Sequence, residues 1–198
     1  MKRTNYLFCG LFMLLLGVSC GGRNENQQPT ENSPKVLIVY YSWGGKTHEI
    51  ATLLQEKTGA DICRIETQKT YLPVPEIYQE AKEEINNKNY PELKTAIPDV
   101  QSYDLILVGS PVWWYSVSSP MLSLLSQCDF YNKSVASFCT HGGEMGNYDQ
   151  TFENAVQNAT LLKGIDIQSK IEKDSVALDE KLSAWLNTLK EELDKNSK

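Results

Sequence analysis

The chain has 198 residues, 41% of them hydrophobic and 22% charged, with a formal net charge of −6. That length and apolar fraction support one globular domain with a sizeable core and leave no room for a second. The acidic balance argues against nucleic acid as a partner, and Cys63, Cys128 and Cys139 lack the spacing of a metal site.

The first twenty residues differ from the rest in composition. Lys2 and Arg3 precede an apolar stretch, Tyr6 to Leu16, too short to span a bilayer and of the right length for a secretory signal. It ends in Gly17-Val18-Ser19-Cys20, which resembles a bacterial lipoprotein cleavage site with Cys20 as the lipidated residue; an ordinary signal peptide with an incidental cysteine is the alternative. Residues 21–34, GGRNENQQPTENSP, hold no apolar side chain able to join a core and read as a disordered tether. At about 5–6 Å × √n, such a tether holds a domain roughly 20 Å from its anchor. The expected organisation is a signal peptide over 1–19, lipidated Cys20 with a tether over 20–34, and one domain over 35–198. Such a protein is anchored to a membrane of the bacterial cell envelope and faces the periplasm. Loss of Lys2 and Arg3 with the signal leaves 17 basic against 25 acidic residues, a balance of −8 that suits a basic partner.

Val36 to Tyr40 is short, apolar and β-branched, which predicts a strand buried on both faces. Ile50, Leu53 and Leu54 then recur at helical spacing until Gly59 offers a stop. Between strand and helix, the hydroxyls of Ser42 and Thr47 and the free amides of the first helical turn can surround an anion. Gly44 and Gly45 let the backbone approach it closely. A nucleoside-triphosphate loop would need a further glycine five residues before Gly45, where this chain has Tyr40. Taken alone, the segment fits a phosphate cradle and an ordinary tight turn equally well.

Ala60 to Glu66 predicts a second strand, and Leu72-Pro73-Val74-Pro75 a rigid loop leading to a charged helix over Glu76 to Asn87. A third strand, Leu105 to Val108, runs into a loop that starts Gly-Ser-Pro and presents Trp113, Trp114 and Tyr115. Pro120 to Cys128 follows as a helix with proline in its first turn. A strand through Cys139 then enters a loop carrying Thr140, His141, Gly142 and Gly143. Asp149 to Asn158 predicts a helix, Gly164 to Gln168 a short fifth strand, and Leu178 to Leu193 a closing helix. On that helix Leu182, Trp185, Leu186, Leu189 and Leu193 share one side, with Trp185 a core residue. Cys63 and Cys139 fall in strands and read as small buried thiols. This alternation implies an α/β parallel sheet with right-handed crossovers. Three strand ends carrying a phosphate turn, an aromatic loop and a Gly-rich loop then share the sheet edge where ligands bind.

Those three loops, in this order, resemble the flavodoxin-like family. Ser42-Trp43-Gly44-Gly45-Lys46-Thr47 resembles its phosphate loop, GSPVWW is similar to its second flavin loop, and CTHGG resembles the third loop of a THGG subfamily. The stretch Tyr71 to Leu93 also resembles that subfamily's segment before the third strand, so the likeness spans Lys35 to Ser169. It implies a doubly wound five-stranded parallel sheet of order 2-1-3-4-5 with helices on both faces. It also implies non-covalent FMN and electron-transfer or quinone-reducing chemistry.

On that resemblance, Ser42 and Thr47 bind the flavin phosphate with the amides of Trp43, Gly44, Gly45 and Lys46, whose ammonium need not touch it. Pro111 and Val112 present backbone to the flavin ring, Trp113 or Trp114 packs on it, and Tyr115, Thr140, Gly142, Gly143 and Asn147 complete the site. Tyr115 stands where related proteins commonly have glycine, which restricts a backbone flip there. The third loop lacks the stacking tyrosine of a dedicated electron carrier. Tyr148 is the nearby aromatic able to substitute; without it one flavin face is open to a second substrate. His141 is then a candidate catalytic donor or proton source, against a plain role in buttressing its loop. His48 reads as a surface residue. Outside the cytoplasm, electrons would come from a membrane quinol or another redox protein. FMN-dependent electron transfer is the first expectation, with an FMN quinone-type reductase and a binding module without turnover as alternatives.

Overall fold

The computed structural model describes residues 33–170 and 174–196. The expected signal peptide, Cys20 and all but the last two residues of the tether lie outside the described residues.

Five parallel partners build the sheet: β1 (Val36–Tyr40), β2 (Asp61–Arg64), β3 (Leu105–Trp113), β5 (Asp129–His141) and β6 (Gln157–Leu161), in the order β2-β1-β3-β5-β6. Two further strands, β4 (Ser116–Val117) and β7 (Ile165–Gln168), pair with β3 and β5. Among the described residues, seven strands therefore replace the expected five. The position expected for one fifth strand is filled by β6 and β7, which pair with the first and second halves of β5. The helix expected over Asp149 to Asn158 is α4 (Tyr148–Ala155), and the residues after it form β6. At 13 residues, β5 is long enough that its first half would otherwise stand as an open edge, and β6 pairs it. Where the two short strands meet, the Leu162 N–H reaches the Val135 carbonyl at 2.8 Å and the Trp185 indole donates to the Lys163 carbonyl at 2.8 Å.

Alternation along β1 divides its side chains between two cores. Leu37 and Val39 join Ile106, Val108 and Val135 under α2 (Glu76–Asn87), α3 (Ser119–Gln127) and α4. Val36, Ile38 and Tyr40 join Leu105, Leu107 and Phe138 under α1 (Lys46–Thr58) and α5 (Ser175–Asn196). A strand buried on both faces must be apolar throughout, which is why VLIVY shows no polar alternation. From α5, Leu182, Trp185 and Leu189 enter the second core, as their spacing on one helix side predicts. Gly59 ends α1 at φ 68° and returns its N–H to the Gln55 carbonyl at 2.8 Å.

The third strand runs well beyond Val108. Gly109, Ser110 and Pro111 stay in register with Phe138, Cys139 and Thr140, so the segment expected as a loop is strand as far as Trp113. Pro111 lies past the end of β1, where β3 is paired on one side only and a missing N–H is tolerated.

Gly109 is required by packing. A Cβ there would lie 2.2 Å from the Phe138 ring, which is fully buried between the sheet and α1 and α5. Gly109→Ala is expected to destabilise the fold by about 1–3 kcal/mol through overpacking. Gly44→Ala, where a Cβ meets nothing within 4 Å, should stay within about 0.5 kcal/mol. Urea denaturation midpoints compare the two, and equal midpoints would remove the steric role of Gly109.

Candidate functional site

The β1–α1 turn offers the donors that an anion cradle needs. Ser42 and Thr47 are buried, and the Thr47 hydroxyl meets that of Thr140 at 2.9 Å, tying the first loop to the third. The Ser42 hydroxyl is buried with no hydrogen-bond partner among the described residues. Leaving such a group unsatisfied costs about 1–3 kcal/mol, which an acceptor seated on the turn would relieve. Gly45 adopts φ 89° as the residue before α1, aiming the first-turn N–H groups into the turn. From β2, the Arg64 guanidinium donates to the Ser42 carbonyl at 3.1 Å and pins the turn from outside. Lys46 points away, bonding Glu49 at 3.1 Å on the exposed surface. His48 is exposed but not idle, since its Nδ1 lies 2.6 Å from the Tyr40 hydroxyl.

Beside the cradle lies a slot of about 470 Å³. Trp43 contributes to it from the first loop, and Val112, Trp113, Trp114 and Tyr115 from the β3–β4 hairpin. Trp113 is held edge-on by Tyr71 and Tyr41, with ring centroids 5.0 and 5.6 Å away. Tyr71 is itself fixed by its hydroxyl, which donates to the buried Glu84 carboxylate at 2.7 Å; Ser119 and Lys69 bond the same carboxylate. Burial, reinforced by Glu84, pushes the Tyr71 hydroxyl well above its ordinary value, so it remains a donor.

Trp114 and Tyr115 form the two-residue turn of the hairpin with φ 47° and 61°. Positive φ at both positions is the geometry of a tight hairpin turn, usually met with Asn or Gly, and bulky residues there are strained. The surroundings hold the turn in place. The Trp114 indole donates to the Tyr78 carbonyl, the Lys82 ammonium lies 4.8 Å over its ring, and the Asn147 N–H donates to the Tyr115 carbonyl at 2.9 Å. Gly146 completes the clamp, since a Cβ there would come within 2.3 Å of the Tyr115 Cβ.

Thr140 and His141, expected in the third loop, are the last residues of β5 because β7 pairs with them, and His141 closes the slot with Gly142 and Glu144 of the loop that follows. Only 7% of the His141 side chain is exposed. Its Nδ1–H donates to the Gly143 carbonyl at 2.7 Å, and Nε2 faces the Asp166 carboxylate on β7 at 3.4 Å. Lys181 from α5 reaches the same carboxylate. Burial works to raise the Asp166 carboxyl, but the His141 hydrogen bond and the Lys181 charge outweigh it and hold it below its ordinary value. Thr140 is buried against Thr47, and Asn147 begins α4. Tyr148 is not available to stack on a ligand. It is fully buried and stacked on Phe152 beneath α4, because the apolar face of that helix turns it into the core.

A flavodoxin family model matches residues 35–189. The chain belongs to the flavodoxin family. A flavoprotein of Lactobacillus acidophilus NCFM, solved in complex with FMN, is 30% identical, with a TM-score of 0.63 over 71% of this chain and 97% of that one. A protein of Bacteroides eggerthii DSM 20697 is 21% identical with a TM-score of 0.64, covering 78% of this chain and 96% of that one, and shares the fold. An NAD(P)H dehydrogenase (quinone) of Cupriavidus metallidurans is 29% identical over 93 residues, which is 47% of this chain and 46% of that relative's length.

Within this family fold, the cradle and slot meet the chemical needs of a flavin mononucleotide. An orphaned hydroxyl and helix N–H groups suit a phosphate ester, and the aromatic walls suit a planar ring. The structure brings Thr47 and Thr140 together at the turn that also carries the buried Ser42, and Trp43, Val112, Trp113, Trp114, Tyr115, His141 and Gly142 at the slot. Lys46 lies outside both, and Asn147 meets the site through its backbone bond to Tyr115. Sequence reasoning missed one wall, formed by Ile77, Tyr78 and Ala81 of α2, and missed Glu144. The helix read only as charged; the spacing of Ile77, Ala81 and Ile85 is the signal of a packed face there, and it does not tell that Ile77, Tyr78 and Ala81 border a cavity.

Asp166 makes the third loop sensitive to acid. Because its carboxyl is held below the ordinary value of 3.8, the native state keeps it ionised at pH values where the unfolded chain has begun to bind protons. Its stabilising contribution is therefore complete above the unfolded value and lost as pH falls through the lower native one. Asp166→Asn should flatten this acid limb in urea midpoints taken between about pH 3 and pH 7. Parallel profiles for the variant and wild type would show that the carboxylate does not hold the loop.

Proposed function

We propose that this protein binds FMN non-covalently and transfers electrons between it and a partner outside the cytoplasm. The observation that carries the reading is the buried Ser42 hydroxyl, without a partner among the described residues, in a strand-to-helix turn whose Trp43 lines the aromatic slot. When bound, FMN supplies one- and two-electron transfer. The chain supplies binding, orientation and exclusion of water. Ser42, Thr47 and the first-turn amides of α1 hold the phosphate, while Trp113, braced by Tyr41 and Tyr71, offers a rigid apolar wall. His141 acts as a positioning residue that fixes the Gly142-Gly143 segment through the Gly143 carbonyl and Asp166.

Hydrogen bonds to a charged acceptor contribute about 1.5–3 kcal/mol each. Ser42→Ala with Thr47→Ala should therefore weaken FMN by roughly a hundredfold while changing riboflavin, which lacks the phosphate, by less than about threefold. Fluorescence titration reads both ligands, and equal losses would place the phosphate elsewhere.

A second reading, an FMN-dependent quinone-type reductase, is favoured by the burial of Tyr148. Without that aromatic over the third loop, the slot keeps an open side at which a planar acceptor can stack.

The cellular setting belongs to the same proposal. A signal peptide over 1–19 and a lipid on Cys20 would anchor the domain to an envelope membrane through the tether, with a membrane quinol or redox protein as donor. No helix among the described residues is long and apolar enough to cross a membrane. Expression of Cys20→Ser should abolish fatty-acid labelling and release the protein from membranes, and unchanged labelling would exclude Cys20.

A further inference from the structure

We infer that the slot selects its second ligand by charge, admitting uncharged or cationic planar rings and turning anionic ones away, with Glu144 as the residue responsible. The inference deepens the flavin reading of this slot and rests on it.

The walls set the shape of the ligand. Trp43, Trp114 and Tyr115 are each at least 39% exposed and stand at the slot, as does Tyr78, 56% exposed on α2. Exposed large apolar groups gathered at one opening mark a place where another apolar surface docks, and aromatic faces favour a planar ring. Ile77, Ala81 and Val112 line the interior without offering a hydrogen-bonding side chain.

The lining sets the charge. Among the described residues, Glu144 is the one carboxylate that lines the slot, and no lysine or arginine lines it. Its third-loop companion His141 turns its ring nitrogens to Gly143 and Asp166. Basic groups on the surrounding elements have partners of their own. Arg64 bonds the Ser42 carbonyl, Lys69 bonds Glu80 and Glu84, and Lys181 bonds Asp166, while Lys82 sits over the Trp114 ring at the edge of the slot without joining its lining. A sulfonate, a carboxylate or the pyrophosphate of a dinucleotide would therefore meet a like charge and find no cation in the lining. Glu144 is exposed at the slot, so its repulsion acts partly through solvent and responds to salt. Discrimination of this kind arises from a repulsive element as much as from an attractive one.

The test compares an uncharged naphthoquinone with the same ring carrying a sulfonate. Each is titrated into the FMN-loaded protein, with affinity read by equilibrium dialysis and by quenching of the slot tryptophans. The sulfonated ring should bind at least about tenfold more weakly in wild type. Raising the salt should narrow that ratio, as screening requires. Glu144→Lys should shift the ratio by about tenfold or more toward the sulfonated ring, and Glu144→Gln should give an intermediate value. Retained flavin, measured in the same samples, reports that each variant is folded and loaded. A ratio near one in wild type, or one unmoved by Glu144→Lys in a loaded protein, overturns the inference. Failure of wild type to take up FMN would instead reject the flavin reading. The same titration of the unloaded protein would then still decide whether Glu144 filters charge.

Discussion

Parallel pairing of β1, β3 and β5 is the constraint on which the site depends. The ladders hold Tyr40 opposite Gly109 and Gly109 opposite Phe138, so the three chains leave the sheet at one edge. A parallel sheet keeps this alignment only if both faces are filled, and here Phe138 fills one face by lying where Gly109 has no side chain. With the strands held in this register, the Thr47 hydroxyl at the start of α1 and the Thr140 hydroxyl near the end of β5 meet at 2.9 Å and join segments that are 93 residues apart in sequence. The cradle and the slot are then neighbours without any loop having to fold back on itself.

Strain and support are distributed unevenly around the slot. The Trp114–Tyr115 turn holds two bulky residues at positive φ, a conformation that persists only where neighbours over-determine it. Those neighbours come from α2, through the Tyr78 carbonyl and Lys82, and from the α4 entry, through Asn147 and Gly146. Trp113 is supported differently, by the edges of Tyr41 and Tyr71 and ultimately by a buried carboxylate, Glu84. That carboxylate is tolerable in the core because Lys69, Tyr71 and Ser119 all donate to it. The slot thus has one wall fixed by packing and another fixed by hydrogen bonds that reach into the adjoining helices.

The third loop follows a third principle, electrostatic anchoring. His141, Asp166 and Lys181 come from β5, β7 and α5, and their contacts hold a glycine-rich segment that has little side-chain packing of its own. This anchoring depends on β7 lying beside the end of β5, and hence on the split of the sheet edge into β6 and β7.

Much of this was legible in the sequence. Val36 to Tyr40 read as a doubly buried strand because every residue is apolar, and Gly59 read as a helix stop because it can adopt positive φ. Glu76 to Asn87 read as a charged helix entered from a proline-rich loop, and the structure gives it those bounds. Ser42, Gly45 and Thr47 were legible as a cradle because an anion site at a helix start uses local backbone geometry, which neighbouring residues specify. What the sequence left open depends on contacts between distant segments. The extension of β3 to Trp113 requires β5 beside it, β6 requires the first half of β5, and Tyr148 is buried because of the core it meets. Local pattern thus determined the central strands β1 and β3 as far as Val108, most of the helices and the tight β1–α1 turn. Only the tertiary structure decided the α2 wall, the anchored His141 and the placement of Glu144, since pairing and packing across the fold choose which side chains face a common cavity.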